Sequence, residues 1–282
     1  MKLHLGTWFA VTALGVPAGE VVIPLTVDPT ASELTTTLCV QDECDAVTRW
    51  LQGELLVVLT GDTAEGRAAL LDLRLVATTN HHANLDFGLG GRVTAVLSKL
   101  VVRHAASHAP PAWQPVTGEA VTFRVIPNHL AGDLAYVATG LACALVGSAG
   151  LPCTDVRDLA QRDPNTIESL PGQLVIEAGR AVLTGTFRFS ELIVPDQPAL
   201  GQVRGQVFFS AAGDLRPRLA IQAAAGGFEL RWSALAEGFA LEMAETLGGP
   251  WRPAGSAPEP REGDWVATVP DGGGAYFRLR RP

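Results

Sequence analysis

Apolar and polar residues alternate one for one through much of this chain, the period of two that a half-buried strand requires and a helix does not tolerate. Leu71, Leu73 and Leu75 face one way while Asp72 and Arg74 face the other. Leu174 and Ile176 lead into a turn at Glu177-Ala178-Gly179-Arg180, and Leu183, Gly185, Phe187 and Phe189 continue beyond it, so the pattern predicts a hairpin whose apolar faces meet. Val203, Gly205, Val207 and Phe209 follow as a further strand. Three segments, Gly53-Glu54-Leu55-Leu56-Val57, Gly185-Thr186-Phe187-Arg188-Phe189 and Gly205-Gln206-Val207-Phe208-Phe209, each set Gly before alternating apolar positions. Their unequal intervals do not make a repeat array, and they read as common strand chemistry. With 30 Gly, 19 Pro and 18% charged residues, many short strands broken by turns fit better than long helices.

Three stretches depart from that rhythm. Val93, Val96, Leu97, Leu100 and Val101 have helical spacing, yet the valines and the flanking Gly90-Gly91 equally suit a strand with a bulge, so 91–108 stays open between helix and strand. Leu134 to Leu151 carries no charge, but Gly140, Gly147 and Gly150 interrupt it and Cys153 follows, which predicts a buried disulfide-held β-hairpin rather than a membrane span. A short helix is predicted over 155–163, with Thr154 to cap it and Pro164 to end it.

Residues 1–18 read as a secretory signal peptide: Lys2 gives a positive start, Leu5 to Val16 is uncharged, and Val16 and Ala18 suit cleavage after Ala18. Export makes disulfides the expected state of Cys39, Cys44, Cys143 and Cys153, and the short loops favour Cys39 with Cys44 and Cys143 with Cys153. The net charge of -8 disfavours nucleic acid as a partner.

The expected organisation is a large antiparallel β-sandwich or barrel over 19–212, a Gly- and Pro-bearing linker at 213–217, and a small β-sandwich over 218–282. In the last segment Phe228, Leu230 and Trp232 alternate, as do Phe239, Leu241 and Met243, placing Trp232 and Phe239 in its core. The order Phe228-Glu229-Leu230-Arg231-Trp232, Gly238-Phe239-Ala240-Leu241-Glu242, Trp251 and Tyr276-Phe277-Arg278-Leu279-Arg280 resembles the fibronectin-III-like terminal modules of secreted planctomycete and verrucomicrobial proteins. That resemblance implies an immunoglobulin-type sandwich and leaves function open, since such modules follow many different domains. Val27-Asp28-Pro29 and Ser32-Glu33-Leu34 resemble the opening of YceI-like barrels, which implies a barrel and an apolar ligand.

Candidate chemistry is sparse. His104 and His108 have the spacing of a metal pair on a helix, but Pro110 and Pro111 would end any helix there. The adjacent His81 and His82 point to opposite faces of a strand. Asp42, Glu43 and Asp45 crowd the Cys39–Cys44 loop without matching a calcium-loop interval, so a solvated turn is expected. Ser148 lacks the spacing of a nucleophile elbow, and Trp251 and Trp265 read as core aromatics before sugar platforms. No residue is assigned to catalysis, a cofactor or a metal, and none of these groups is expected. The chain is read as an exported protein, secreted, periplasmic or on the outer cell surface, without a membrane span after signal removal. Its expected role is non-enzymatic: structural, adhesive or interacting, toward a cell-surface or glycan component. The alternatives are a β-barrel carrier of a lipid or other small apolar ligand, and an extracellular hydrolase.

Overall fold

The computed structural model describes residues 20–60, 66–105, 112–148, 150–161, 164–194, 201–236, 238–254, 257–261, 263–270 and 276–281. The alternating segments become the antiparallel strands β1 (Val21–Val27), β2 (Glu33–Val40), β3 (Glu43–Thr60), β4 (Arg67–Ala77), β5 (His81–Asp86), β6 (Arg92–His104), β7 (Gln114–Thr117) and β8 (Ala120–Thr139). After helix α1 (Leu141–Ser148) come β9 (Thr154–Asp158), β10 (Asn165–Glu177), β11 (Arg180–Leu192), β12 (Gln202–Asp214) and the short β13 (Arg216–Pro217). The pairings run from β3 through β4, β6, β8, β10, β11, β12 and β2 back to β3, so this sheet closes on itself as a barrel. One half of β3 pairs with β1 and the other half with β2, so these two short strands share a single place in the wall. Ser32 seals the break between them: its Oγ accepts from the Ser210 N–H at 2.9 Å and donates to the Ser210 carbonyl.

Leu25, Leu55, Leu73, Phe123, Leu183 and Phe209 fill the inside, each almost wholly buried, while Glu54, Asp72, Arg74, Arg188 and Gln206 stand on the water-facing side. This arrangement, apolar within and charged without, is the inverse of a barrel whose wall faces lipid. Among the described residues no helix is long and apolar enough to cross a membrane.

The pairing of β11 with β12 explains the recurring Gly. In antiparallel register Gly185 faces Phe209, Phe187 faces Val207 and Phe189 faces Gly205. A Cβ at Gly205 would overlap the Phe189 ring, and one at Gly185 would come within 2.7 Å of Phe209. Each ring therefore lies across the space its partner leaves empty, the close approach that Gly inside a strand permits. The turn from β10 into β11 has Ala178 and Gly179 both at positive φ, 48° and 72°, the geometry of a two-residue hairpin turn.

Two ladders stop short. The β10–β11 ladder ends at Gly172 opposite Gly185, leaving Asn165–Pro171 apart from the far half of β11. Likewise β4 carries the ladder to β3 only as far as Leu51 opposite Ala77, and β5 pairs with β6 instead.

The structure corrects three expectations. Residues 154–158 form a strand on the edge of β8, followed by a 3-10 turn at Leu159–Gln161, where a helix was expected over 155–163; 162 and 163 lie outside the described residues. The exposed backbone edge of β8 supplies hydrogen-bond partners that outweigh the local capping signal. The uncharged stretch 134–151 is not a hairpin: β8 ends at Thr139, Gly140 turns the chain at φ 63°, and α1 follows with Ala142 and Val146 buried four residues apart on one face. Residues 213–217 are barrel strand and not free linker, for Gly213 pairs with Ala181 and Arg216 with Val22. The open segment 91–108 forms a strand over Arg92–His104, its register shifting between Ser98 and Val101 where Lys99 sits at φ 53°.

Beyond Pro217 two small sheets stack. One orders β14 (Ala220–Ala224), β15 (Gly227–Ser233), β19 (Asp264–Pro270) and β18 (Glu259–Arg261); the other orders β17 (Arg252–Pro253), β16 (Ala240–Ala244) and β20 (Tyr276–Arg280). Trp232, wholly buried, centres their core with Leu230, Leu241 and Val269, and Phe239 packs half-buried against it. Leu235 of this module packs against the barrel core, and the Arg281 guanidinium donates to the Ala178 carbonyl.

Phe189→Ala should cost about 3 to 5 kcal/mol of unfolding free energy. Adding Gly205→Ala to that variant should cost less than Gly205→Ala alone, because the vacated ring space accepts the methyl group. Denaturant titration of the four proteins checks this; additive losses would show that the two residues do not compete for one space. Trp232→Ala should unfold the small module, through a loss of about 3 to 5 kcal/mol, while the barrel stays folded. Limited proteolysis of the full chain should then cut within 218–282 first.

Candidate functional site

Both cysteine pairs stand at disulfide distance, at one end of the barrel. Cys39 and Cys44 face each other across the β2–β3 hairpin with Cα atoms 4.1 Å apart, and Cys143 of α1 meets Cys153 with Cα atoms 4.9 Å apart. Beneath α1 is an apolar void of about 30 Å³ lined by Leu38, Val93, Leu134, Tyr136, Val146 and Ile193. Tyr136 donates its hydroxyl to the Pro152 carbonyl at 3.0 Å, fixing the segment after the helix. Burial raises the Tyr136 pKa above the ordinary tyrosine value.

A buried polar pair interrupts the apolar interior. His81, 2% exposed, places Nδ1 2.7 Å from Thr36 Oγ1, and its Nε2 has no hydrogen-bond partner among the described residues. Where β3 and β5 run side by side without a ladder, Arg49 Nε donates to the Asn80 carbonyl at 2.5 Å and Asp45 Oδ2 accepts from the Asn84 N–H at 2.9 Å. Burial first, then the Arg49 guanidinium and His82, hold the His81 pKa below its ordinary 6.5, and Asp45 opposes them.

The outer wall carries a concave surface near these strands. A groove of about 1030 Å³ follows the open β10–β11 seam, lined by hydroxyl, amide and charged side chains including Thr35, Asn165, Glu168, Arg188, Arg204 and Gln206. Asn165 Nδ2 spans the seam at one end, donating to the Ser190 carbonyl at 2.6 Å. Beside the groove, register sets Trp50, Glu33, Phe208 and Thr186 in one row across β3, β2, β12 and β11. Both aromatics face solvent, Trp50 56% and Phe208 45% exposed.

His81 points inward and His82 outward, as their adjacency on a strand requires. His104 ends β6 half-buried, and His108 lies outside the described residues. Asp42 and Glu43 lie exposed at the β2–β3 turn, while Asp45 turns toward β5. Among the described residues no group of His, Cys, Asp or Glu could hold a metal ion. Ser148 donates to the Leu145 carbonyl at 2.6 Å within α1. Trp265 packs half-buried on the small core, whereas Trp251 lies half-exposed under Arg278, whose guanidinium is 4.1 Å from the ring centre and also pairs with Glu242. The row of Trp50, Glu33 and Phe208 carried no local signal, since its members come from three strands.

No protein-family model matches the chain, and no curated protein matches it. Among solved structures it is similar to Ail, the attachment invasion locus protein of Yersinia pestis, at 10% identity and a TM-score of 0.34, over 71% of this chain and 100% of that one. The same protein in complex with the heparin analogue sucrose octasulfate gives 8% identity and a TM-score of 0.32 over the same shares.

His81 sets a pH dependence of stability. Neutral in the fold, it gives the unfolded chain the greater proton uptake as pH falls, so its stability effect is absent above the unfolded pKa near 6.5 and increasingly unfavourable below it. The melting temperature should therefore drop between about pH 7 and 5, and His81→Gln should flatten that slope. An unchanged slope would place the titration elsewhere.

Proposed function

We propose that this is an exported, non-enzymatic envelope or extracellular protein whose barrel is a solid scaffold for structural, adhesive or interaction roles. The carrying observation is the filled interior. Among the described residues the void under α1, about 30 Å³, lies far below the roughly 300 to 1,000 Å³ of a small-molecule pocket. Recognition then falls to the outside, where the groove along β10 and β11 is open and mixes polar and apolar side chains. Two cysteine pairs at disulfide distance support an oxidising compartment. The terminal module serves as a fibronectin-III-like spacer or sorting unit, a reading supported by its β14-β15-β19-β18 sheet stacked on β17-β16-β20, the strand arrangement of immunoglobulin-type sandwiches.

A barrel carrier of a lipid or other apolar ligand is the second reading, favoured by the wholly apolar void under α1; it would need α1 to lift. Native mass spectrometry of the full chain, purified from medium or envelope without delipidation, separates the two. The expected mass is that of the mature polypeptide with two disulfides and no apolar adduct. A stoichiometric lipid would favour the carrier, and four free thiols in this exported material would overturn the disulfides.

A further inference from the structure

The aromatic row on the outer wall has the geometry of a sugar-binding platform. Glu33 lies directly between Trp50 and Phe208, each ring one strand away on the same face. Neighbouring strands are ~4.8 Å apart, so positions two strands apart are separated by ~10 Å, about the length of two linked hexopyranose rings. Both rings are exposed on strands whose other faces are fixed in the barrel core. An exposed Trp and Phe on one rigid row would leave apolar surface in water unless it met a partner. The apolar faces of pyranose rings, with hydroxyls around their edges, match aromatic faces flanked by hydrogen-bonding groups.

Those groups are present. The next outward row along the same strands is Thr48, Thr35, Gln206 and Arg188, with the Thr35 and Thr48 hydroxyls 2.8 Å apart. Beyond it the groove continues toward Glu168 and Asn165. Glu33 and Glu168 balance Arg188 and Arg204 across this face, so it matches an uncharged ligand better than a polyanion.

We propose that the row of Trp50, Glu33 and Phe208, with the adjoining groove, binds a linear neutral polysaccharide, three successive sugar units lying across β3, β2 and β12. The proposal rests on the interaction reading above and names its ligand class. The rings stack on alternate sugars, the Glu33 carboxylate accepts hydroxyl hydrogen bonds between them, and the threonine and glutamine side chains meet the next hydroxyls along the groove.

Affinity electrophoresis of the full chain tests this, in gels containing hydroxyethylcellulose, xylan, galactomannan or soluble starch, with dextran sulfate as the polyanion. Retardation by at least one neutral polymer is expected, weakened about tenfold by Trp50→Ala or Phe208→Ala and unchanged by Leu247→Ala, which removes an exposed apolar side chain of the small module. Trp50→Phe should retain part of the affinity. Melting temperatures of the variants should match the parent, since both aromatics point outward. The proposal fails if no neutral polymer retards the protein, if only dextran sulfate does, or if the two aromatic variants bind as the parent does. None of those outcomes touches the filled interior or the bound-lipid measurement, so the interaction reading survives or falls separately.

Discussion

Closure of the barrel depends on Phe rings crossing empty positions on the neighbouring strand. Along β11 and β12 the inner face would be overfilled if every inward position carried a side chain, since a Cβ at Gly185 or Gly205 would meet a Phe ring. Gly185 and Gly205 remove two side chains, and Phe209 and Phe189 occupy the room. The result along these two strands is close packing of ring against strand, as protein interiors generally require. A filled interior in turn decides where function can lie, since only the outer wall and the two ends remain open to a partner.

Several features legible in the sequence depend only on local periodicity. The alternation at Leu71–Leu75 and Val203–Phe209 announces strands, and the Glu177–Arg180 turn announces the β10–β11 hairpin, because side-chain direction and turn chemistry are set within a few residues. The Gly-led segments were visible too, but their meaning was not: that Gly185 and Gly205 are emptied for Phe209 and Phe189 becomes apparent only once the two copies lie antiparallel. Residues 154–158 were misread for a related reason. A cap and a terminal proline describe a helix that the chain would adopt alone, whereas the free edge of β8 offers a full ladder.

The same distinction governs the candidate sites. His81 and His82 could be assigned to opposite faces from adjacency, yet nothing local pairs His81 with Thr36, since the contact crosses from β5 to β2. Trp50, Glu33 and Phe208 come from three strands and meet only through strand register. Each is unremarkable in its own segment, and their shared row depends on the way the sheet closes. Register thus creates the aromatic spacing, and the open β10–β11 seam supplies a groove of mixed polar and apolar side chains beside it.

The two cysteine pairs have a consequence for how the molecule is held shut. Cys39 and Cys44 are 5 residues apart and Cys143 and Cys153 are 10 apart, each pair closing a short loop at one rim. Neither ties β10 to β11, β3 to β5 or the barrel to the small sandwich. Apart from the Cys39–Cys44 link between β2 and β3, the circuit of strands is fastened by packing and hydrogen bonds, and reducing both bridges would loosen the rim around α1 and the tip of that one hairpin. Redox conditions act on the lid of this barrel and leave its hoop intact.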